Sequence, residues 1–276
     1  MVETIVDPAG PYRLRLMTRG SAWSAPLPDG RRASAWQRQD GAVVVRASDD
    51  EGVERARFML ALHDDTAEFH RRFAHDALLG PTARLLAGWR PLRLATVAHA
   101  VLRAVAGQLV DSRRARQIER AILRACGQEV ATQGGLRQLS PAHLVRCGLA
   151  GGRAATLARL CRTIDLEGLH RHDGDAVAAR LGRESGIGPW SIGVIALEGL
   201  GRYDRGLVGD LGLIKLTSSL RGRWVETWET AELLAPYGEW QGLAGEMLLL
   251  GWSRGLVPGA DLDVARRSRL RTRRAA

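Results

Sequence analysis

Gly186-Ile187-Gly188-Pro189 is the segment of this 276-residue chain with the fewest conformations open to it. Two glycines around one apolar residue allow a very tight reversal, because glycine accepts positive φ and has no Cβ to clash. Pro189 then suits the first turn of a helix, where its missing N–H costs nothing. The stretch from Asp175 up to the turn reads as a short helix capped by that aspartate, with Val177 and Leu181 on one face. The stretch after it, running to Leu197, reads as a second, apolar helix. The first amides of that helix have no partner within it, and with the helix dipole they form an anion site suited to a phosphate. A dinucleotide-binding loop is rejected. It needs a preceding strand and a third glycine three residues after the second, whereas here the preceding segment is helical and position 191 is serine. On the glycine pair alone, a plain helix–helix connection also stands open.

A carboxylate follows in Gly209-Asp210-Leu-Gly-Leu-Ile-Lys215. Asp210 lies 22 residues past Gly188, at the predicted start of another helix. By itself, an aspartate in that place caps a helix as readily as it does chemistry. Charge narrows the partner: a net +10 and a pI near 10.8 suit a polyanion. Part of this charge is local, since the last twelve residues, Ala265 to Ala276, hold six arginines and no acid, leaving +4 for the body. Lys215 is the only lysine, which limits amine chemistry. No apolar run approaches the roughly 20 residues of a spanning helix, so no membrane partner is expected. Met1-Val2-Glu3-Thr4 lacks the basic-then-apolar order of a secretory signal, so the expected location is the cytoplasm, at the nucleoid. Cys126, Cys147 and Cys161 are odd in number and widely spaced, which fits reduced thiols and matches no four-cysteine iron–sulfur pattern. His170-Arg-His172-Asp173 offers no further placed ligands for a metal.

The chain divides by pattern. Its first 60 or so residues read as α+β: Tyr12 to Leu16 alternates with period two, Ala42 to Val45 is a β-branched run, and Pro28-Asp29-Gly30 marks a turn between them. Beyond Glu51 helical spacing takes over, and Gly88-Trp89-Arg90-Pro91 interrupts it. Val97, Val101 and Val105 share one helical face, and Ile118, Ile122 and Cys126 another that stops at Gly127. Ser140-Pro141 opens a helix that Gly148 ends, and Leu157, Leu160, Cys161 and Ile164 form a core stripe. The expected organisation is an N-terminal α+β accessory domain over 1–88, an all-helical domain over 89–262, and a basic, disordered tail over 263–276.

The pattern Gly-Ile-Gly-x-Trp, followed at that distance by an Asp-Leu-Gly-Leu-x-Lys helix opening, resembles the helix-hairpin-helix DNA glycosylase superfamily. Within it, the likeness is greatest to the 3-methyladenine DNA glycosylase II family. The resemblance extends to Trp89–Leu94, Val105–Val110 and Ala235–Ala244, and covers about 89–255. It implies a mainly helical fold with an N-terminal α+β subdomain, and hydrolysis of the N-glycosidic bond of alkylated or otherwise damaged purines in duplex DNA. Asp210 matches the catalytic aspartate, and the physics agrees. A preplaced carboxylate stabilises an oxocarbenium-like transition state and orients the attacking water. Bifunctional members place a lysine nucleophile where this chain has Trp190, so strand cleavage is not expected.

By the same resemblance, Ser185, Gly186, Ile187 and Gly188 grip the DNA backbone. Leu109 is the wedge filling the gap left by an everted nucleotide, with Gln108 beside it. Trp190 and Trp240 are the aromatic platforms for the base. The carbonyls of Gly182, Glu184 and Ile187 match the family's monovalent-cation site, K+ or Na+, and no organic cofactor is implied. A monomer acting on double-stranded DNA with a damaged base is expected. The sequence departs from the family pattern at Val194, where an aromatic is usual, and at Leu249, which replaces a pocket tryptophan. These departures keep a second reading open, a non-catalytic helix-hairpin-helix protein that binds DNA or senses lesions.

Overall fold

The computed structural model of the chain describes residues 1–18 and 20–261; the basic tail expected at 263–276 lies outside the described residues. Four strands, β1 (Val2–Val6), β2 (Ala22–Pro26), β3 (Arg32–Gln37) and β4 (Val43–Ala47), form an antiparallel sheet in the order β1-β4-β3-β2. The valine run supplies the inner strand β4, where Val43, Val44 and Val45 are buried on both faces. Pro28-Asp29-Gly30 is the turn of the β2–β3 hairpin, closed by the Leu27 N–H donating to the Arg31 carbonyl at 2.7 Å. Helix α1 (Asp50–Met59) lies on the sheet through Val53, Ala56 and Met59.

The period-two segment is not a strand. Leu14–Leu16 is a turn of 3-10 helix, although burial still alternates through Tyr12 and Leu14. Its backbone donors are taken elsewhere: Arg13 N–H donates to the Gly88 carbonyl at 2.9 Å and Leu14 N–H to the Gln37 side-chain oxygen at 2.9 Å. Alternating burial without free ladder groups gives a turn.

The rest is helical: α2 (Ala67–Phe73), α3 (Gly80–Leu85), α4 (Val97–Gly107), α5 (Ser112–Cys126), α6 (Gln133–Arg137), α7 (Pro141–Arg146), α8 (Gly151–Thr163), α9 (Gly174–Gly182), α10 (Pro189–Val194), α11 (Leu211–Arg221), α12 (Glu229–Leu234) and α13 (Gln241–Ser253). Helix α4 is apolar nearly all round and forms the axis of this body, against α5, α8 and α10. The α5 face stops at Gly127, which takes left-handed φ of 64°, and α7 starts on a Ser140–His143 capping box. Helix α9 is capped by Asp173, not Asp175. The Asp173 carboxylate accepts the Ala176 N–H at 2.7 Å, while Asp175 sits inside the first turn and pairs with Arg205.

Two buried clusters result, one under the sheet and one among the helices. Leu62 belongs to the first and Phe69 to the second, so α2 and α3 pack with the helical body. The segment at Gly88–Pro91 is the strap between them. The Arg90 guanidinium is fully buried, donates to the carbonyls of Ala9, Pro11 and Ala61, and stacks over the Tyr12 ring. No helix among the described residues is long and apolar enough to cross a membrane.

Candidate active site

Helix α4 delivers its C-terminal end to the glycine turn. Gly186 takes φ of +84°, and a Cβ there would lie 2.7 Å from Thr156 Oγ1 on α8, so only glycine fits. Gly188 is extended, with φ of −103°, and precedes the helix as its N-cap. Ile187 is buried, which pins the turn to the core. Gln108, just past α4, donates through Nε2 to the Gly186 carbonyl at 2.7 Å and to Ser191 Oγ at 3.0 Å. Arg159 donates to the Ser185 carbonyl at 2.7 Å and pairs with Glu184, which Arg180 holds from the other side. The ladder of α10 begins with Ile192 N–H donating to the Gly188 carbonyl at 3.0 Å, which leaves the amides of Trp190 and Ser191 ahead of it. Around the same turn, the Glu184 carbonyl accepts the Ile187 N–H at 3.0 Å, and Gly182 closes α9.

Leu109 follows Gln108 and has two unusual properties. Its backbone is left-handed, with φ of 55°, and the residue is 101% exposed. A branched side chain in that conformation costs on the order of 1–3 kcal/mol, and no packing in the free protein offsets it. The exposed arginines 113, 114 and 116 open α5 directly after it.

Asp210 is the N-cap of α11. Its Oδ1 accepts the Gly212 N–H at 2.7 Å and the Leu213 N–H at 3.2 Å. Its Oδ2 accepts the indole N–H of Trp190 at 3.0 Å. The carboxylate is thus held by its own helix and by the second hairpin helix together. Close approach makes this possible: Gly193 faces the Gly206 carbonyl, which a Cβ would meet at 2.5 Å. Past Val194 the helix widens into a π segment, Ile195–Leu200, which carries Glu198. Such segments occur mostly as local bulges, often at functional sites.

A cavity of about 250 Å³ is walled by Met17, Trp89, Leu92 and Leu197, with Arg103, Glu198 and Glu246 facing it, and the charge of Asp210 reaches Glu246 in its wall. Arg103 donates to Glu198 Oε2 at 2.7 Å and to Glu119 Oε1 at 2.9 Å, and His99 Nε2 lies 2.9 Å from the same Glu119 oxygen. Glu246 has no such partner among the described residues; burial, and then the negative charges of Glu198 and Asp210, push its carboxyl up to about 8. Glu246 is half-buried and lines this cavity.

The expected site residues therefore separate. Asp210, Trp190, Gln108 and the turn 185–188 come together, with Leu109 projecting beside them. Trp240 does not join them: it stacks on Tyr203 at 5.7 Å and tilts against Phe69 at 5.6 Å, in the aromatic cluster at the start of α13. Val194 is buried, and Leu249 lies against Gly212 just past Asp210. His170 packs edge-on to Phe58 at 5.4 Å, and the neighbouring Asp173 is the α9 cap. Trp89, Arg103, Glu198 and Glu246 were not singled out by the sequence. Their signal was available, since Arg103 and Glu246 are the only residues of full charge in the apolar helices α4 and α13 and Glu198 the only one in the π segment. Charges of that kind are seldom buried unless paired or functional.

By sequence, the chain matches no family model and no curated protein. By structure it matches many. A 3-methyladenine DNA glycosylase from Archaeoglobus fulgidus superposes with a TM-score of 0.75 at 17% identity, over 92% of this chain and 98% of that one. An 8-oxoguanine glycosylase/lyase from Clostridium acetobutylicum, bound to double-stranded DNA with cytosine opposite 8-oxoguanine, gives 0.67 at 18%, over 88% and 92%. A 3-methyladenine DNA glycosylase from Schizosaccharomyces pombe in complex with abasic DNA gives 0.58 at 18%, over 71% and 100%. Mainly helical, with a small N-terminal antiparallel sheet, the chain has the fold of the helix-hairpin-helix DNA glycosylases.

Proposed function

We propose that this protein is a monofunctional DNA glycosylase of base excision repair. In this reading it grips duplex DNA by the turn 185–188, everts a damaged purine of the 3-methyladenine type, and hydrolyses its glycosidic bond with Asp210. One observation carries the reading: the Asp210 carboxylate is oriented from two elements at once, by the α11 amides and by the Trp190 indole. A cap alone needs only the first. Oδ1 is filled by the two α11 amides, whereas Oδ2 accepts only the indole N–H and keeps a lone pair for the positive charge growing on the sugar or for the attacking water.

Leu109 supports the eversion step. A leucine held wholly in solvent on left-handed backbone gains nothing in the free protein, whereas the gap left by an extruded nucleotide would bury it. Gln108, tied to the turn, sits next to that gap. The cavity that Glu246 lines, within reach of the Asp210 charge, is the receptacle for the base in this reading, with Trp89 for stacking in place of Trp240. Trp190 at the lysine position argues against a Schiff-base route, and Lys215 is already engaged within the protein. The carbonyls of Gly182, Glu184 and Ile187 are hard oxygen donors around one turn and suit a monovalent cation, which would add positive charge behind the phosphate grip. The chain would act as a monomer.

The test is chemical. Methylated duplex DNA incubated with the protein should yield free 3- or 7-methylpurine and an abasic strand that stays intact until alkali is added. Tight DNA binding with no base released would favour the non-catalytic lesion-sensing alternative, and a nicked strand without alkali would overturn the monofunctional part.

A further inference from the structure

The cavity holds one group that the glycosylase reading leaves unused. Glu246 projects from the middle of α13 into the space walled by Trp89, Leu92 and Leu197, and it has neither a counter-ion nor a hydrogen-bond donor among the described residues. Of the cations in the wall, Arg103 is shared between Glu119 and Glu198. Arg90, also in the wall, turns its guanidinium to the carbonyls of Ala9, Pro11 and Ala61. The elements packed on α13 offer no other cation to it. Arg84 on α3 donates to the Ala74 carbonyl, Lys215 on α11 is engaged, and Tyr237 donates to Asp76. The charges that do reach Glu246 are negative, Glu198 from the π segment and Asp210 from α11.

We propose that Glu246 is a second catalytic residue, a neutral carboxylic acid that hydrogen-bonds to the everted base and protonates it as it leaves, so that the pocket also takes damaged purines carrying no charge of their own. This rests on the glycosylase reading and extends it to a substrate class. A carboxyl enclosed by protein and flanked by two carboxylates keeps its proton at neutral pH, and a neutral acid is a hydrogen-bond donor. Burial and those two charges push it up to about 8.

The step balances. As the bond from C1′ to N9 breaks, its electron pair goes to the purine, and the Glu246 proton passes to a ring nitrogen such as N7. Asp210 faces the resulting oxocarbenium ion, and water adds to C1′, giving its proton to Asp210. Solvent then returns one proton to Glu246 and takes one from Asp210. A base already methylated at N7 carries positive charge and leaves without this acid, whereas a neutral base does not.

The experiment compares two duplexes, one with a single hypoxanthine and one with a single 7-methylguanine, by base release under single-turnover conditions from pH 5.5 to 9.5. For the wild type, the hypoxanthine rate divided by the 7-methylguanine rate should be flat at low pH and fall about tenfold per unit above about pH 8. E246Q should lose about 10²–10⁴-fold on hypoxanthine and less than about threefold on 7-methylguanine. Equal loss on both bases would make Glu246 merely structural and overturn the proposal, as would a ratio flat to pH 9.5. Wild-type release of 7-methylguanine alone overturns this proposal and leaves the glycosylase reading standing. Release of neither base overturns both.

Discussion

Asp210 shows how one side chain carries two roles without conflict. Its Oδ1 closes the first turn of α11, and its Oδ2 is turned by Trp190 from another element. Replacing Trp190 with phenylalanine removes the indole donor and leaves a smaller aromatic ring in its place. A hydrogen bond to a charged group contributes about 1.5–3 kcal/mol, so the single-turnover rate of base release should fall by roughly 10–100-fold with DNA affinity little changed. Leu109 is the opposite case, a residue whose conformation costs stability in the free protein. Leu109→Gly relieves the left-handed backbone and should raise thermal stability by up to about 1 kcal/mol while lowering base release, a pairing that an ordinary surface leucine would not produce. Calorimetry and a release assay on the same sample check both signs.

At the scale of elements, the hairpin is set by local chemistry, and that chemistry was legible. Gly-Ile-Gly dictates the turn and Pro189 the helix start. Gly127 and Ser140 mark ends that neighbouring residues alone determine. Positions decided by competition for backbone groups were not legible. Tyr12 to Leu16 alternates like a strand and becomes a turn because Gly88 and Gln37, distant in sequence, take its amide protons. Asp173 and Asp175 are equivalent as letters, and only the extended backbone of the former makes it the cap. The π segment leaves no periodic trace. Helices α4 and α5 and that segment are joined by the His99–Glu119–Arg103–Glu198 network, which makes a prediction about acid. Burial alone would push the Glu119 carboxyl up, but hydrogen bonds from His99 and Arg103 hold it down to about 2, below its ordinary 4.5. A carboxyl depressed by folding contributes stability that is complete above its unfolded value and lost as pH falls toward the folded one. Denaturation followed from pH 6 to 2 should therefore show a loss beginning near 4.5, on the order of 1–3 kcal/mol of which disappears in Glu119→Gln.

Across the whole molecule, the cavity belongs to no single element. Met17 and Trp89 come from the sheet side and the strap, Arg103 from α4, Glu198 from the π segment and Glu246 from α13. That juxtaposition depends on packing two bodies around buried Arg90 and Arg93, which is why the glycine turn and the aspartate that opens α11 could be read from one stretch of sequence and the pocket could not. It is also why Trp240, placed in the site by motif, sits in the aromatic cluster with Phe69 and Tyr203. The claim that joins all these scales is that the carboxylate at position 210 acts on an everted nucleotide. Asp210→Asn tests it most directly, because asparagine caps a helix about as well as aspartate and preserves the fold while removing the charge. The variant should keep wild-type melting temperature and affinity for abasic duplex DNA while base release falls by at least about 10²-fold. Near-normal turnover by this variant would contradict the account.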